Sequence, residues 1–441
     1  MTVVKVVKFG GSSLASAEQF RKVAQIIYAD DTRRYVVPSA PGKRFDGDTK
    51  VTDMLYSCYS LAVKGKSFDS EFEAIKDRYN SIIEELNIDL NLEKEFETIK
   101  ACFIGRAGRD YAASRGEYLS GMTLAAYLGY EFVDSAEIIF FNEDGSFDSK
   151  RTAKAVANRL EAAERAVIPG FYGSMPNDTI KTFSRGGSDV TGSIVASGVN
   201  ADLYENWTDV SGFLICDPRI VENPEPIRTI TYKELRELAY MGATVLHEDA
   251  IFPVRKAGIP INIKNTNEPD DAGTFIVEST SQKPLYTVTG IAGKKGFAVV
   301  NIEKDMMNSE LGFGRKVLEQ FEKNGISFEH MPSGIDTMSI VVHQEEFVKK
   351  EQEILSGIHR NVHPDLIDIE TDLALIAVVG RGMKSERGTA GRIFSALAHA
   401  HVNVKMIDQG SSELNIIIGV HERDFEKAVK AIYEIFVLQR L

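Results

Sequence analysis

Two short stretches hold residue types from which a site for phosphate and carboxylate groups can be built. Residues 8–13, KFGGSS, end a β-branched run (Val3, Val4, Val6, Val7) with a lysine, two glycines and two serines. Residues 184–189, SRGGSD, repeat that pattern with Arg185 and add Asp189. A β-branched run favours a buried strand, and Ser16 with Gln19 three residues on is the signature of a helix-opening capping box, so Gly10 and Gly11 fall in a strand-to-helix turn. Glycines there let backbone pass close to a ligand, and the amides of such a turn suit anionic oxygens. Lys8 adds a positive charge beside them; the plainer alternative is a tight turn with a solvated lysine. In the second cluster Arg185 offers a planar fork for a carboxylate, while Asp189 can bind an ammonium group or orient a lysine. Together they describe an amino-acid-shaped site, and a helix N-terminus capped by Ser188 or Asp189 is compatible with it.

Two further stretches extend this reading. SRGEYLSG (114–121) sets Glu117 just ahead of an amphipathic helix, where its carboxylate could take a second ammonium contact or act simply as a first-turn acid. NWTDVSGFLICDPR (206–219) follows a strand with a hydroxyl, an acid, a glycine turn and Arg219, a combination able to hold a ribose and phosphates or to cap a turn. None of the Gly-Lys pairs satisfies the Walker A spacing, and GRGM (380–383) lacks the last glycine of a dinucleotide fingerprint. Neither a P-loop nor a Rossmann cofactor site is expected.

The elements that must position these residues alternate. Over residues 1–275, short β-rich runs (3–9, 34–39, 131–133, 166–169, 201–206) alternate with helical patterns, among them charged amphipathic segments over 68–103. That is the pattern of an α/β layered fold around a mainly parallel sheet. After the polar, turn-prone NTNEPDDAGT (265–274) the units become smaller, and they repeat. Residues 311–342 lie on 387–420 with Gly314 on Gly391, Arg315 on Arg392, Ile326 on Val402, Gly334 on Gly410 and Ile340 on Ile416. Each copy reads helix, strand, turn, strand, which makes two copies of one supersecondary unit.

The 441 residues leave room for two to four domains at roughly 150 residues each. No apolar run approaches the ~18–20 residues of a membrane span, and Lys5 and Lys8 interrupt the only N-terminal stretch that could resemble a signal peptide. The three cysteines, Cys58, Cys102 and Cys216, have no paired spacing, so neither a disulfide framework nor a zinc site is suggested. A cytoplasmic enzyme is the expectation. A net charge of −13 argues against nucleic acid or an anionic membrane as main partner, and requires any anionic small molecule to find its own local cations.

Taken in order, KFGGSS (8–13), SRGE (114–117), SRGGSD (184–189), WTDVSG (207–212), DPR (217–219) and MGATVLH (241–247) resemble the motif series of the aspartate kinases, a branch of the amino acid kinase family with C-terminal ACT domains. The resemblance spans essentially the whole chain. It implies an α/β three-layer sandwich with a mainly parallel sheet over 1–284, then two α+β ferredoxin-like ACT units over 285–370 and 371–441, with interleaving of the two allowed. The implied reaction is phosphoryl transfer from ATP to the side-chain carboxylate of L-aspartate, giving 4-phospho-L-aspartate at the head of lysine, threonine and methionine biosynthesis. The substrate carboxylate is itself the nucleophile, so catalysis is positioning plus charge stabilisation.

Carried over by motif, Lys8 with the amides of Gly10, Gly11 and Ser12 would hold the transferring phosphate. Arg185, with Gly186, Gly187 and Ser188 of its motif, would grip the α-carboxylate, with Glu117 and Asp189 near the ammonium group. Ser39 and Thr52 match hydroxyl positions that face aspartate. Thr208, Asp209, Arg219 and Thr244 fall on the nucleotide side, and Mg²⁺ would bridge the phosphates with few protein ligands. Three departures mark this chain: Thr244 stands where the family often has a lysine (FGAKVLH), GFLICDPR replaces GIYTTDPR, and 40–52 carry a longer insert, APGKRFDGDTKVT.

ACT units of this family pair across subunits and bind amino acids, so the resemblance implies a homodimer or homotetramer under feedback control. Lysine is favoured over threonine as effector, since Met307, Phe313, Gly314, Ser327, Phe328, Glu329 and Ser333 fall where lysine-sensitive members hold it. The end at Leu441 leaves no room for a fused dehydrogenase, and a monofunctional kinase is expected. The rival readings are another amino acid kinase, such as glutamate 5-kinase, and a non-catalytic ACT-based amino-acid sensor.

Overall fold

The computed structural model describes residues 3–184, 186–243, 246, 248–282 and 284–438. The chain divides into two compact units. One comprises Met1–Phe213, Pro226–Tyr232 and Val245–Thr280; the other comprises Leu214–Glu225, Lys233–Thr244 and Ser281–Leu441. The second unit therefore takes two excursions from inside the range read as catalytic.

In the first unit the strands are β1 (Lys5–Phe9), β2 (Arg33–Pro38), β3 (Glu131–Phe132), β4 (Ala166–Val167), the hairpin β5 (Tyr172–Ser174) and β6 (Ile180–Thr182), then β7 (Leu203–Thr208), β8 (Thr229–Thr231), β9 (Ile261–Asn265) and β10 (Thr274–Val277). Eight of them form a sheet in the order β3-β4-β2-β1-β7-β9-β10-β8, parallel throughout except between β9 and β10. Each of the five expected runs falls on one of these strands. The alternation of β1 decides what each face receives: Val7 and Phe9 join Val36, Trp207 and the helix Ala17–Tyr28 (Phe20, Val23, Ala24, Ile27) in one core, which sends Lys8 to the opposite face. Ser16 caps that helix by accepting from the Gln19 amide at 3.4 Å. The capping box closes on one side only, because the Gln19 side chain donates instead to Asn267 Oδ1 at 3.2 Å. The charged segments over 68–103 form helices Asp69–Leu86 and Glu93–Ile104, which with Val51–Val63 and Arg109–Leu128 enclose Phe72, Tyr79, Phe96 and Phe103.

The second unit is built on β11 (Gly290–Glu303), β12 (Phe328–His330), β13 (Thr337–His343), β14 (Leu366–Val379), β15 (Val404–Asp408) and β16 (Asn415–His421), an antiparallel sheet in the order β12-β13-β11-β14-β16-β15. The two copies of the repeat are visible in helices Phe313–Lys323 and Thr389–His399. Each is preceded by a glycine in the left-handed region, Gly312 at φ +76° and Gly388 at φ +86°. The long strands serve both copies: residues 297–303 of β11 pair with β13, residues 290–295 pair with 374–379 of β14, and that half of β14 pairs with β16. A boundary at 370/371 thus falls inside β14, because each ACT-like lobe completes its sheet with half a strand that continues into the other.

Candidate active site

The glycine turn after β1 is fixed from three sides. The Gly10 amide donates to the Trp207 carbonyl at 3.0 Å, the Gly42 amide donates to the Gly11 carbonyl at 2.8 Å, and the Ser13 and Thr266 hydroxyls lie 2.7 Å apart. Gly10 is extended at φ −70°, so its glycine is not required by a left-handed backbone. Gly11 is required by proximity: a Cβ there would lie 2.8 Å from the Ala40 carbonyl oxygen, and one on Gly42 would lie 2.7 Å from the Gly11 carbonyl carbon. The turn and the loop after β2 meet backbone to backbone. One of the three amides assigned to phosphate is spent, since that of Gly10 serves the sheet. Those of Gly11 and Ser12 open the short 3-10 helix Gly11–Leu14 and have no partner within it.

Lys8, 7% exposed, reaches across that end of the sheet. Its ammonium lies 2.7 Å from Asp189 Oδ1 and donates to Asn206 Oδ1 at 3.4 Å, while Asn206 Nδ2 donates to the same Asp189 oxygen at 2.8 Å. The amide can face only one way, because an ammonium cannot accept and an ionised carboxylate cannot donate. Of the two partners open to Asp189, an ammonium ligand or a lysine, the structure pairs it with Lys8. Asn206, 4% exposed, was not singled out by sequence. Its signal is the parallel register that sets Lys8 opposite Asn206.

Asp189 sits in the first turn of the helix Gly187–Gly198, whose N-cap Gly186 is left-handed at φ +56°. Gly187 and Ser188 are pressed by a segment the motifs did not point to, PGFYG (169–173). A Cβ on Gly187 would lie 2.1 Å from the Phe171 ring, and one on Gly170 would lie 2.5 Å from Ser188 Oγ. Phe171 itself has φ +84°, a strained value for a non-glycine, held by its amide on Thr191 Oγ1 (3.0 Å) and its carbonyl on the Phe183 amide (3.0 Å). Arg185 lies outside the described residues, as does Thr244.

Glu117 is not a first-turn acid. It lies in the middle of the 20-residue helix Arg109–Leu128, 6% exposed, with Oε2 lacking a hydrogen-bond partner. Burial pushes its carboxyl up to about 8, against the opposing pull of the Ala40 amide and, more weakly, the Arg115 charge. Gly116 does not break the helix; its missing Cβ makes room for Ala40, whose own Cβ would otherwise lie at 2.7 Å. The same loop thus touches both the glycine turn, through Gly42, and Glu117, through Ala40. Ser39 leads into it, its amide on the Phe9 carbonyl at 3.0 Å, and half-buried Thr52 follows it at the start of the helix Val51–Val63.

Thr208 ends β7 with its hydroxyl donating to exposed Asp209 at 3.1 Å and its carbonyl accepting from the Thr266 amide at 2.8 Å. Arg219 belongs to a segment of the second unit, where its side chain is 88% exposed and paired with Asp217 at 2.6 Å.

The seven expected effector residues divide between core and surface. Met307 and Phe313 are buried in the first ACT-like lobe, where their apolar bulk fills the interior, and a Cβ on Gly314 would lie 3.2 Å from Met338. Ser327 and Phe328 are exposed, and Ser333 bridges to Met338. The Glu329 carboxylate lies 3.2 Å from His343 Nε2, and burial together with this acid pushes the Tyr240 phenol up to about 12.

Residues 3–265 match the amino acid kinase family and residues 376–436 match the ACT domain. Aspartokinase 3 of Bacillus subtilis is 41% identical over 448 residues, covering 98% of both chains. The crystal structure of Clostridium acetobutylicum aspartate kinase, described as an allosteric enzyme, is 54% identical and superposes with a TM-score of 0.91 over 98% of this chain and all of that one. E. coli aspartokinase III, at 24% identity, shares the fold over 98% of this chain and 99% of that one, with TM-scores of 0.71 for its aspartate–ADP complex (R-state) and 0.73 for its lysine–aspartate complex (T-state). The chain belongs to the aspartokinases of the amino acid kinase family, and is an aspartate kinase with ACT domains in its C-terminal part.

Proposed function

We propose that Lys8 and the free amides of Gly11 and Ser12 hold the phosphoryl group as it passes from ATP to the side-chain carboxylate of L-aspartate, with Asp189 and Glu117 on either side of the substrate region. The observation that carries this is the Lys8–Asp189 pair, with Lys8 buried, beside a turn in which the Gly11 and Ser12 amides open a short helix and have no partner within it. The substrate carboxylate attacks the γ-phosphorus, the bond to the ADP oxygen breaks, and no proton need move to form the acyl phosphate. The transferring group spreads negative charge over its oxygens, so a cation and two amides fixed before the reaction stabilise it without reorganising. Glu117, ionised once an ammonium group pairs with it, would orient the amino acid, and Arg185 would take its α-carboxylate. Thr208, at the end of the strand next to Lys8, and Asp209 just beyond it would meet the nucleotide. Mg²⁺ would enter with the nucleotide, held mainly by phosphate oxygens and water, and would supply further neutralisation there. The complexes of E. coli aspartokinase III with aspartate and ADP, and with lysine and aspartate, support aspartate, a nucleotide and lysine as the ligand classes; at the ACT units of this chain Glu329 would be the acid available to a lysine side-chain ammonium. A first step of lysine, threonine and methionine biosynthesis, a cytoplasmic location and a homodimer or homotetramer belong to the same proposal. The test is Mg-ATP with a panel of acidic amino acids and hydroxylamine trapping, with and without lysine or threonine. Hydroxamate from aspartate alone, suppressed by lysine, is expected. Hydroxamate from glutamate, or suppression by threonine and not lysine, would overturn the respective assignment.

A further inference from the structure

Tyr204, Asn206 and Thr208 alternate along β7 onto one face, and the first two both reach Asp189. The Tyr204 hydroxyl donates to the Asp189 backbone carbonyl at 3.3 Å and fills the space left by Gly192, where a Cβ would lie 2.5 Å from that oxygen. On the neighbouring strands, β1 sets Lys8 opposite Asn206 and β9 sets apolar Ile263 opposite it. Among the described residues, the charged and titratable groups at the Asn206 amide are Lys8 from β1, Asp189 from the helix Gly187–Gly198, and Tyr204 on its own strand.

We propose that Asn206 is a positioning residue for phosphoryl transfer: it keeps the Asp189 carboxylate seated so that the Lys8 ammonium can leave Asp189 for the phosphoryl oxygens and return. This rests on the reading of Lys8 as the phosphate holder. In the structure one oxygen, Asp189 Oδ1, takes both the ammonium and the Asn206 N–H. When the ammonium turns to phosphate, a part-buried carboxylate loses its cation, and a carboxylate with no remaining donor would hold the lysine back. The Asn206 N–H stays on that oxygen throughout. Its carbonyl, at 3.4 Å from Lys8, is a long contact that aims the ammonium without trapping it. A neutral amide is the side chain that does both: a hydrocarbon gives Asp189 no second donor, and a carboxylate repels Asp189 while binding Lys8 more tightly.

The test is kcat and KM for aspartate by ADP release at saturating Mg-ATP and varied aspartate, from pH 5.5 to 8.5, for wild type, Asn206→Leu, Asn206→Asp and Lys8→Ala. Asn206→Leu is expected to lower kcat by about 10–100-fold while the KM for aspartate stays within about threefold. Asn206→Asp is expected to be similarly impaired at pH 8 and to recover relative to wild type as pH falls. Its protonated carboxyl then donates to Asp189 and accepts from Lys8 as the amide does; burial and the neighbouring Asp189 charge raise its pKa against the opposing pull of the Lys8 ammonium, which brings it into reach. If Asn206→Leu does not fold, the pH profile of Asn206→Asp decides alone. Turnover within twofold of wild type in the variants, or a loss in Asn206→Asp that is equal at every pH, would overturn the proposal. Lys8→Ala separates the two claims: if it is inactive while the Asn206 variants are normal, only the role of Asn206 falls; if it turns over normally, the reading of Lys8 falls with it.

Discussion

Glu117 ties aspartate binding to pH in a way that can be worked out in advance. Its carboxyl is pushed up from 4.5 to about 8 by burial, with one oxygen lacking any partner, so in the free enzyme at pH 7 it is mostly protonated. An ammonium group is bound by the ionised form. Aspartate must therefore expel a proton, and the apparent affinity should weaken about tenfold for each pH unit below 8, since one unit is worth about 1.4 kcal/mol. The KM for aspartate should fall about tenfold from pH 6 to pH 7, fall further to pH 8, and level off above it; the free amino acid's ammonium titrates above this window. Stability moves the opposite way. Unfolded, Glu117 ionises near 4.5; between there and about 8 the folded chain binds the extra proton, so the free enzyme loses stability as pH rises through that window. The full shift corresponds to roughly 4–5 kcal/mol held against the ionised form. Glu117→Gln should thus raise the melting temperature at pH 8, raise the KM for aspartate, and remove its pH dependence. Steady-state KM measured from pH 6 to 8.5, beside thermal unfolding at pH 8, checks all three. A flat KM in wild type, or an unchanged slope in Glu117→Gln, would refute the reasoning.

Other expectations rest on packing and pairing. Gly11→Ala should cost about 1–3 kcal/mol in denaturant unfolding, because its Cβ meets the Ala40 carbonyl at 2.8 Å, whereas Gly10→Ala, with nothing nearer than 3.6 Å, should change stability by less than about 1 kcal/mol. Glu205, buried between Arg33 (2.8 Å), Lys5 (3.6 Å) and the Trp207 indole N–H (2.9 Å), neutralises both cations; Glu205→Ala should destabilise by about 3–5 kcal/mol, read by the same method. Glu329→Ala should raise the lysine concentration for half-inhibition by at least about tenfold with uninhibited kcat preserved, whereas retained lysine sensitivity would remove Glu329 from the effector site.

Much of the fold was legible because its signals are local. The valine run of β1 and the glycine turn after it need only their own sequence neighbourhood, and the Gly-Arg repeat exposed the two ACT-like lobes. What was hidden depends on distant partners. Gly116 looks like a break before a helix, yet it marks where Ala40 packs against a continuous one, and Gly121 does the same for Pro169. With contacts on several sides, the helix Arg109–Leu128 has no simple apolar stripe to read, which is why Glu117 was placed near its start. Asn206 is an ordinary polar residue in a strand until parallel register sets it beside Lys8 and the helix of Asp189 arrives. Phe171 shows its strained backbone only in three dimensions. The Gly10 amide was assigned to phosphate from a motif that cannot reveal its hydrogen bond to Trp207.

The central claim is that Lys8 stabilises the transferring phosphoryl group. Trapping of 4-phospho-L-aspartate as hydroxamate by Lys8→Ala, with melting temperature measured on the same sample, tests it directly. A fall in kcat of at least about 10²-fold, with unfolding shifted by no more than a few degrees because Asn206 still serves Asp189, is the expected result. Turnover within tenfold of wild type would contradict it.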